Sequence, residues 1–351
     1  MALIIAFILI LINLFLVPIL LTHMHLNDTV TSTARHFLTG ISIGLPAFFL
    51  SAVLRSFIDS LGLTRVSMVI TLATVPVNIL LNYLLIFGNF GFPELGGAGS
   101  GYATGITYWL VLLVSILLIE THRKIRHFQI FSKPSVPSFQ KIKEILKIGI
   151  PNGLTILFET GIFSAVTILM SRFGTDISLL ISQQTVLVHC FTPSPLSIAS
   201  SLTILVGFET GAKRIDGAKA YRHIGMITAI FIGTLNGTLL FFFRDQVAGF
   251  YSSDGNLIPL ITHFLLYAIL FQFADALLSP VLGALRGYKD VAITSVVAFI
   301  SYWIVGLPVG IFLSYSSLGA YGFWIGLSTG LFTAAFILSI RVRYTEKNYT
   351  F

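Results

Sequence analysis

Long apolar segments recur from one end of the chain to the other, and they limit its possible folds more than any other feature. Each is about 20 residues long, the length that an α-helix needs to cross a hydrocarbon layer of about 30 Å. The ten segments are 2–21, 38–60, 66–88, 98–119, 147–170, 177–208, 222–243, 256–285, 290–314 and 318–340. Only 10% of the 351 residues are charged, whereas soluble domains carry about a quarter. The sequence therefore predicts an all-α polytopic membrane protein with ten transmembrane helices.

The basic residues are distributed unevenly across this predicted topology. When the ten segments cross the membrane alternately, eighteen of the twenty-one Lys and Arg fall on the side that holds both termini. The opposite side receives only Arg35, Arg172 and Arg244. Because positively charged loops stay in the cytoplasm, we expect both termini to be cytoplasmic. The net charge of +7 then reflects topology, and it does not indicate a nucleic-acid partner.

The sequence contains none of the common patterns of catalytic sites. The single cysteine, Cys190, excludes an internal disulfide and fits no metal-binding pattern. There is no HExxH motif, no GxxxxGK[ST] phosphate loop and no nucleophile–base constellation. We therefore expect a protein that is not an enzyme. Since the sequence has no ATP-binding loop, uphill transport would draw on an ion gradient or on a partner protein. In an ion gradient, one charge supplies about 2.3 kcal/mol per 100 mV.

Two parts of the chain resemble each other at a nearly constant offset. LGLTRVSMVITL at 61–72 parallels RGYKDVAITSVV at 286–297, and LGGAGSGYATGITYW at 95–109 parallels LGAYGFWIGLSTG at 318–330. Such an offset indicates two duplicated lobes of six helices each. The predicted parts are an incomplete four-helix N-terminal lobe at 1–119, a basic cytoplasmic linker at 120–146, a six-helix C-terminal lobe at 147–342 and a cytoplasmic tail at 343–351. The repeat also predicts that two helices preceding residue 1 are missing, through a truncation or an internal start.

Two carboxylates lie near the middle of predicted helices. Glu159 is twelve residues after Lys147, and Asp275 is eleven residues before Arg286. At a rise of 1.5 Å per residue, each lies roughly 18 Å from its charged flank. A charge at that depth costs about 2.5–3.5 kcal/mol, and such residues mark ion, proton or substrate paths. We predict that this pair binds Na⁺ or a proton; the alternative is that each carboxyl is neutral or hydrogen-bonded to a neighbouring helix. No basic residue is expected at that depth.

Amide side chains are weaker candidates. Asn78 and Asn82 share one helix face at a spacing of four residues, where they suit contacts with a cation or a drug, although hydrogen bonding between helices is the more frequent role. Gln184 lies early in the segment 177–208 and suits cavity lining and a helix interface equally. Asp275 aligns with Leu50 in the repeat, so we expect the acidic site in the second lobe only.

Several segments resemble the multidrug and toxic compound extrusion (MATE) family, in its NorM-like branch. They are 45–65, 75–109, 149–163 and 273–290. The match is most specific at 75–109, and the resemblance covers essentially the whole chain. It implies a twelve-helix fold of two lobes around a central cleft, in which these ten helices correspond to helices 3–12.

The resemblance also implies a function, namely secondary active efflux of cationic, amphipathic drugs by antiport with Na⁺ or H⁺. It assigns cation coupling to Glu159 and Asp275, which are also the candidate Na⁺ ligands. Asn78 and Asn82 match polar positions implicated in transport, and we add Gln184 and Phe271 to the predicted transport cavity. Phe271 stands where some relatives have a tyrosine, and it removes one oxygen from a possible Na⁺ shell.

The expected partners are small organic cations and the lipid bilayer, with no cofactor besides the coupling ion. We expect a monomer in a bacterial inner membrane. Two alternatives remain for the function. A lipid-linked saccharide flippase of the same superfamily would need a cationic cavity, and the sequence has no Arg or Lys at mid-depth. A non-transporting remnant is the other, because an incomplete first lobe would expose helix faces that should be covered.

Overall fold

The computed structural model describes residues 1–23, 27–128, 130–131, 138–170, 173, 193–251 and 257–349. These residues form helices and connecting turns, and they contain no strand. The helices are α1 (Ala2–His23), α2 (Asp28–Ser60), α3 (Thr64–Phe87), α4 (Gly97–Thr121), α5 (Phe139–Met170), α6 (Pro193–Gly211), α7 (Ile215–Tyr251), α8 (Leu257–Gly287), α9 (Ala292–Ser314) and α10 (Tyr321–Lys347). Within α9, residues Ile300–Gly306 form a π-helical segment.

Nine of these helices, all except α6, are long and apolar enough to cross a membrane. Helix α6 matches the end of the predicted segment 177–208, of which 177–192 lies outside the described residues. The prediction of an all-α, multi-pass membrane protein with ten helices is confirmed. The orientation of the termini stays a prediction.

The helices extend further than the apolar segments that predicted them. Helix α2 begins at Asp28 instead of 38, where the Asn27 side chain accepts a hydrogen bond from the Thr29 backbone N–H, as a helix N-cap does. Helix α5 begins at Phe139, inside the segment predicted as a linker. The difference arises because hydropathy locates only the apolar part of a helix, whereas backbone hydrogen bonding continues into polar surroundings.

The chain divides into two compact units, Met1–Ser138 and Phe139–Phe351. In the first unit, α4 packs against α2 and α3, and α1 packs against α2. In the second unit, α8 packs against α6, α7 and α10, while α9 packs against α5 and α10. Helix α8 is therefore the central helix of the second unit, and it carries Asp275.

Two glycines at equivalent positions of the predicted repeat both have positive φ angles. Gly96 precedes α4 with φ 54°, and Gly319 precedes α10 with φ 50°. Both angles lie in the left-handed region, which glycine adopts without the steric cost that a side chain adds. The offset between them is the offset that relates the LGG and LGA motifs in the sequence.

Glycines allow α9 and α10 to approach each other closely. A Cβ atom added to Gly326 would lie 2.5 Å from Gly306 O and 2.5 Å from Gly310 Cα, and one added to Gly322 would lie 2.6 Å from the Leu313 carbonyl carbon. Small residues at such contacts let membrane helices pack backbone to backbone. The packing of α9 holds the π-helical segment in place beside α10.

We expect Gly326→Ala to destabilise the protein by about 1–3 kcal/mol, because the new methyl group meets backbone atoms that cannot rotate away. Gly153→Ala is the matched control, since a Cβ there meets nothing within 4 Å. Thermal unfolding followed by fluorescence-detected size exclusion should show a lower midpoint for Gly326→Ala alone. Equal midpoints for the two variants would mean that α9 and α10 are not this close.

Ion pairs join the ends of the helices on the predicted cytoplasmic side of the second unit. Asp290, in the turn between α8 and α9, accepts hydrogen bonds from Arg341 Nε at 2.7 Å and from Thr345 Oγ1 at 2.7 Å. Burial opposes the charge of Asp290, but these hydrogen bonds hold its pKa below its ordinary value. Asp290 therefore stays ionised and ties the turn to α10. Glu346 on α10 accepts from Arg222 Nε at 2.6 Å and from the Tyr288 hydroxyl at 3.0 Å.

Candidate functional site

Asp275 lies in the middle of α8, with only 7% of its surface exposed. The Ser279 hydroxyl, one turn further along the same helix, donates a hydrogen bond to Asp275 Oδ1 at 2.7 Å. Among the described residues no Lys, Arg or His lies within ion-pair distance of this carboxylate. One oxygen of Asp275 is thus held by its own helix, and no basic residue in the described part of the chain pairs with the carboxyl group.

Glu159 reaches the same region from α5. It is partly buried, and its charge interacts with that of Asp275. Helix α5 is fixed against α9 at this level, because Trp303 Nε1 donates to Phe158 O at 3.2 Å and the rings of Phe158 and Phe299 lie 5.1 Å apart. The two acids predicted from the sequence therefore lie within electrostatic range of each other, one on α5 and one on α8.

Tyr302 adds a hydroxyl group from a third helix. It is 3% exposed, lies in the π-helical segment of α9, and interacts electrostatically with both Glu159 and Asp275. Short π-helical segments within α-helices occur frequently at functional sites. Glu159, Asp275, Ser279 and Tyr302 together form a group of oxygen-bearing side chains inside the second unit, which we call the acid cluster.

The charge of Arg286 interacts with that of Glu159 in the acid cluster. The absence of a basic residue at the depth of the acids stays a prediction. Counting residues along α8 gives the distance of Arg286 from Asp275 on the same helix. It does not give the distance of Arg286 from Glu159, which lies on α5 and can interact with it through space. Arg286 and Glu159 are not among the ion pairs of the described residues. Arg286 therefore offsets part of the negative charge of the cluster without forming an ion pair with Glu159.

Aromatic rings pack beside the acid cluster. Phe271, one turn before Asp275 on α8, is 4% exposed. Its ring lies 5.5 Å from that of Phe163 on α5 and 5.9 Å from that of Trp324 on α10. The Trp324 indole N–H is buried and has no hydrogen-bond partner in the described part of the chain. Phe271 thus contributes an aromatic surface and no oxygen at this position.

The amides of the first unit form a separate group. Asn82 Nδ2 donates to Asn78 O at 2.8 Å and to Asn78 Oδ1 at 2.9 Å. Asn78 Nδ2 in turn donates to Thr107 Oγ1 on α4 at 3.2 Å. The shared helix face is as the sequence predicted, and the contact with Thr107 links α3 to α4. Gln184 lies outside the described residues.

A family model described as MatE matches residues 1–84 and 151–312. These two stretches make up more than half of the chain. The chain belongs to the MatE family. The resemblance inferred from the sequence motifs is thereby confirmed.

Relatives within the MatE family match along essentially the whole chain. A protein of Listeria monocytogenes serotype 4b (strain F2365), named "Probable multidrug resistance protein NorM", is 67% identical over 350 residues, which are 100% of this chain and 77% of that protein. A protein of the same name from Bacillus thuringiensis subsp. konkukian (strain 97-27) is 45% identical over 346 residues, covering 98% of this chain and 76% of its own length.

Solved structures of MATE transporters share the fold. The outward-facing conformation of a multidrug resistance MATE family transporter aligns with a TM-score of 0.87 and 17% identity, covering 99% of this chain and 77% of the other. The eukaryotic MATE transporter AtDTX14 aligns with a TM-score of 0.84 and 21% identity, covering 97% of this chain and 75% of the other. At these identities the likeness concerns the fold alone, and it confirms the predicted fold class.

Two members of the acid cluster were not among the residues predicted from the MatE motifs. Ser279 is four residues after Asp275, so helical spacing alone places it on the same face, and this signal was available. Tyr302 could not be found in this way. It lies in a π-helical segment, where the spacing of an α-helix does not predict which face a residue occupies.

Proposed function

We propose that this MatE-family protein is a secondary active multidrug efflux transporter that exports cationic, amphipathic drugs in exchange for Na⁺ or H⁺. The observation that carries the proposal is the pair Glu159 and Asp275, which come from different helices and interact electrostatically without an ion pair to any described basic residue. The name shared by the relatives from Listeria and Bacillus, "Probable multidrug resistance protein NorM", supports the drug-transport part.

The acid cluster suits reversible binding of a cation. Two negative charges close together repel each other, and the repulsion grows as water is excluded. A Na⁺ ion or a proton bound by Glu159 and Asp275 removes this repulsion. For Na⁺, the hydroxyl oxygens of Ser279 and Tyr302 are further ligands of the type that hard cations prefer. If the coupling ion is H⁺, the proton can bind the Asp275 oxygen that does not accept the hydrogen bond from Ser279.

Cation binding is coupled to helix packing because the cluster joins three helices. Glu159 lies on α5, Asp275 on α8 and Tyr302 on α9. A cation that draws these side chains together favours the arrangement in which all three helices approach the cluster. By thermodynamic linkage, that arrangement then binds the drug with a different affinity. Binding of the coupling ion from the outside can therefore release the organic cation to the outside.

Organic cations also match the aromatic surroundings of the cluster. The face of an aromatic ring attracts a positive charge, and Phe271 and Phe163 pack beside the carboxylates. We assign Phe271 to the transport cavity on this basis. Asn78, Asn82 and Gln184 are retained as proposed cavity residues, and their roles rest on the resemblance.

Ethidium transport in proteoliposomes tests this function. The purified protein should move ethidium against its gradient when an opposing Na⁺ or H⁺ gradient is imposed, and the gradient that works identifies the ion. Glu159→Gln should reduce this transport at least tenfold, whereas Glu144→Gln, an exposed acid on the same helix, should leave it unchanged. Transport that needs neither gradient, or full activity of Glu159→Gln, would refute the proposed coupling.

A further inference from the structure

An open cavity of about 980 Å³ lies in the first unit where α4 ends. Its polar and charged lining consists mainly of Glu120, Arg123, Arg126 and His127. The cavity is far along the chain from the acid cluster, and the proposed transport function does not use it. We call it the α4 end pocket.

Local packing fixes the wall of this pocket. After α4, the backbone N–H groups of Ile125 and Arg126 donate to His122 O at 2.9 and 3.0 Å. Ile125 is fully buried among isoleucines of α2, α3 and α4. The Phe128 ring lies 5.7 Å from that of Phe57 on α2, in an edge-on contact. The segment 122–128 is therefore packed against the helices, and the exposed residues Arg123 and Arg126 lie on a turn that these contacts fix.

The charges of the pocket differ from those of the second unit. The four ion pairs in the described residues all lie in the second unit, on its predicted cytoplasmic side. There the basic residues Arg214, Lys219, Arg222 and Arg341 each have an acidic partner. Arg123 and Arg126 have none within ion-pair distance in the described part of the chain, although Glu120 lines the same cavity. Topology alone requires positive charge on this side, but it does not place two arginines, both without an ion-pair partner among the described residues, in the lining of one cavity.

The position of the pocket indicates the source of an anion. Ile119 and Thr121 in its lining belong to the last turn of α4, a candidate membrane span, so the cavity opens where that span leaves the bilayer. Phe128 and Phe131 nearby are 47% and 48% exposed, and aromatic side chains are common at the interface between lipid and water. Basic pockets at this level, on the cytoplasmic side, bind the headgroups of anionic lipids.

We propose that the α4 end pocket is a binding site for an anionic phospholipid of the leaflet predicted to be cytoplasmic. The lipid phosphate lies between Arg123 and Arg126, as a bidentate guanidinium contact allows. The exposed faces of Phe128 and Phe131 pack against the upper acyl chain. This site goes beyond the proposed transport function and does not rest on it.

Native mass spectrometry of the detergent-purified full chain tests the site. The apparent Kd for the first bound phosphatidylglycerol should be lower than that for phosphatidylcholine. The double variant Arg123→Gln and Arg126→Gln should weaken phosphatidylglycerol binding by about fivefold for each arginine removed. The corresponding double Lys variant should retain only part of the binding, because lysine keeps the charge but cannot make the bidentate contact. Glu120→Gln should strengthen binding, because it removes the acid that lines the pocket.

The matched control removes the same charge elsewhere on the same predicted side. Lys141 and Lys143 are exposed near the start of α5, so their double Gln variant should change phosphatidylglycerol binding less than twofold. An equal loss in this control would show that the basic residues act only through net charge, and it would overturn the proposal. Displacement of the lipid by inorganic phosphate at the same concentration would overturn it too, because a free anion would then be the preferred ligand.

Discussion

Asp275→Asn is expected to reduce energy-dependent ethidium efflux at least tenfold, with the protein expressed at the normal level. Asparagine has nearly the same shape, and its amide oxygen can still accept the hydrogen bond from Ser279. It carries no negative charge, so the acid cluster can neither hold a coupling cation as before nor exchange a proton at this position. Cells that lack other efflux systems, loaded with ethidium and energised with a carbon source, give the rate directly.

Two further variants separate this effect from a general loss of charge. Asp216→Asn removes the same charge from a side chain that is 94% exposed, and efflux should stay at the wild-type rate. Ser279→Ala leaves both carboxylates and removes one hydroxyl, so we expect a partial loss. Wild-type efflux in Asp275→Asn would exclude Asp275 from coupling, and an equal loss in Asp216→Asn would show that the assay reports something other than the cluster.

Glu346→Ala is expected to destabilise the folded protein by about 3–5 kcal/mol, the largest stability effect that we expect. The variant leaves Arg222, whose side chain is 14% exposed, without its acidic partner, and it removes the acceptor of the Tyr288 hydroxyl. Breaking a buried ion pair from one side costs more than the pair contributes, because an unpaired charge remains out of water. The midpoint of thermal unfolding in detergent measures the change.

A double substitution of Arg222 and Glu346, and a control substitution of an exposed acid, test whether the loss of stability comes from this ion pair. Replacing Arg222 and Glu346 together with Met should recover most of the lost stability, because no unpaired charge is then buried. Glu144→Ala removes an exposed acid of α5 and should change the free energy of unfolding by less than about 0.5 kcal/mol. If Glu346→Ala unfolds at the same temperature as Glu144→Ala, the contact between Arg222 and Glu346 does not stabilise the second unit.

The helices and the two acids could be predicted from the sequence for the same physical reason. A membrane span must be almost free of charge, so hydropathy located the apolar part of each helix, and Glu159 and Asp275 stood out against that background. Helix ends were less predictable because they lie in water, where Asp28 and Phe139 begin helices without an apolar signal. The positive φ angles of Gly96 and Gly319 fall at positions that the motifs at 95–109 and 318–330 align.

The composition of the acid cluster was only partly predictable. The position of Ser279 follows from helical spacing. The position of Tyr302 depends on a π-helical segment that no pattern of residues predicted. The interaction between Arg286 and Glu159 depends on how α5 and α8 approach each other, which a single sequence does not specify. The two units also differ chemically, since Asp275 aligns with Leu50 in the predicted repeat while the first unit carries the amides Asn78 and Asn82.

Counterflow of the coupling ion tests most directly whether Glu159 and Asp275 couple a cation to drug export. Proteoliposomes are given a gradient of an organic cation and no ion gradient, and the flux of Na⁺ or H⁺ in the opposite direction is recorded. The wild-type protein should drive one of these ions uphill, whereas Glu159→Gln and Asp275→Asn should drive neither. Wild-type drug movement without ion counterflow, or full counterflow in either variant, would contradict the role of the acid cluster.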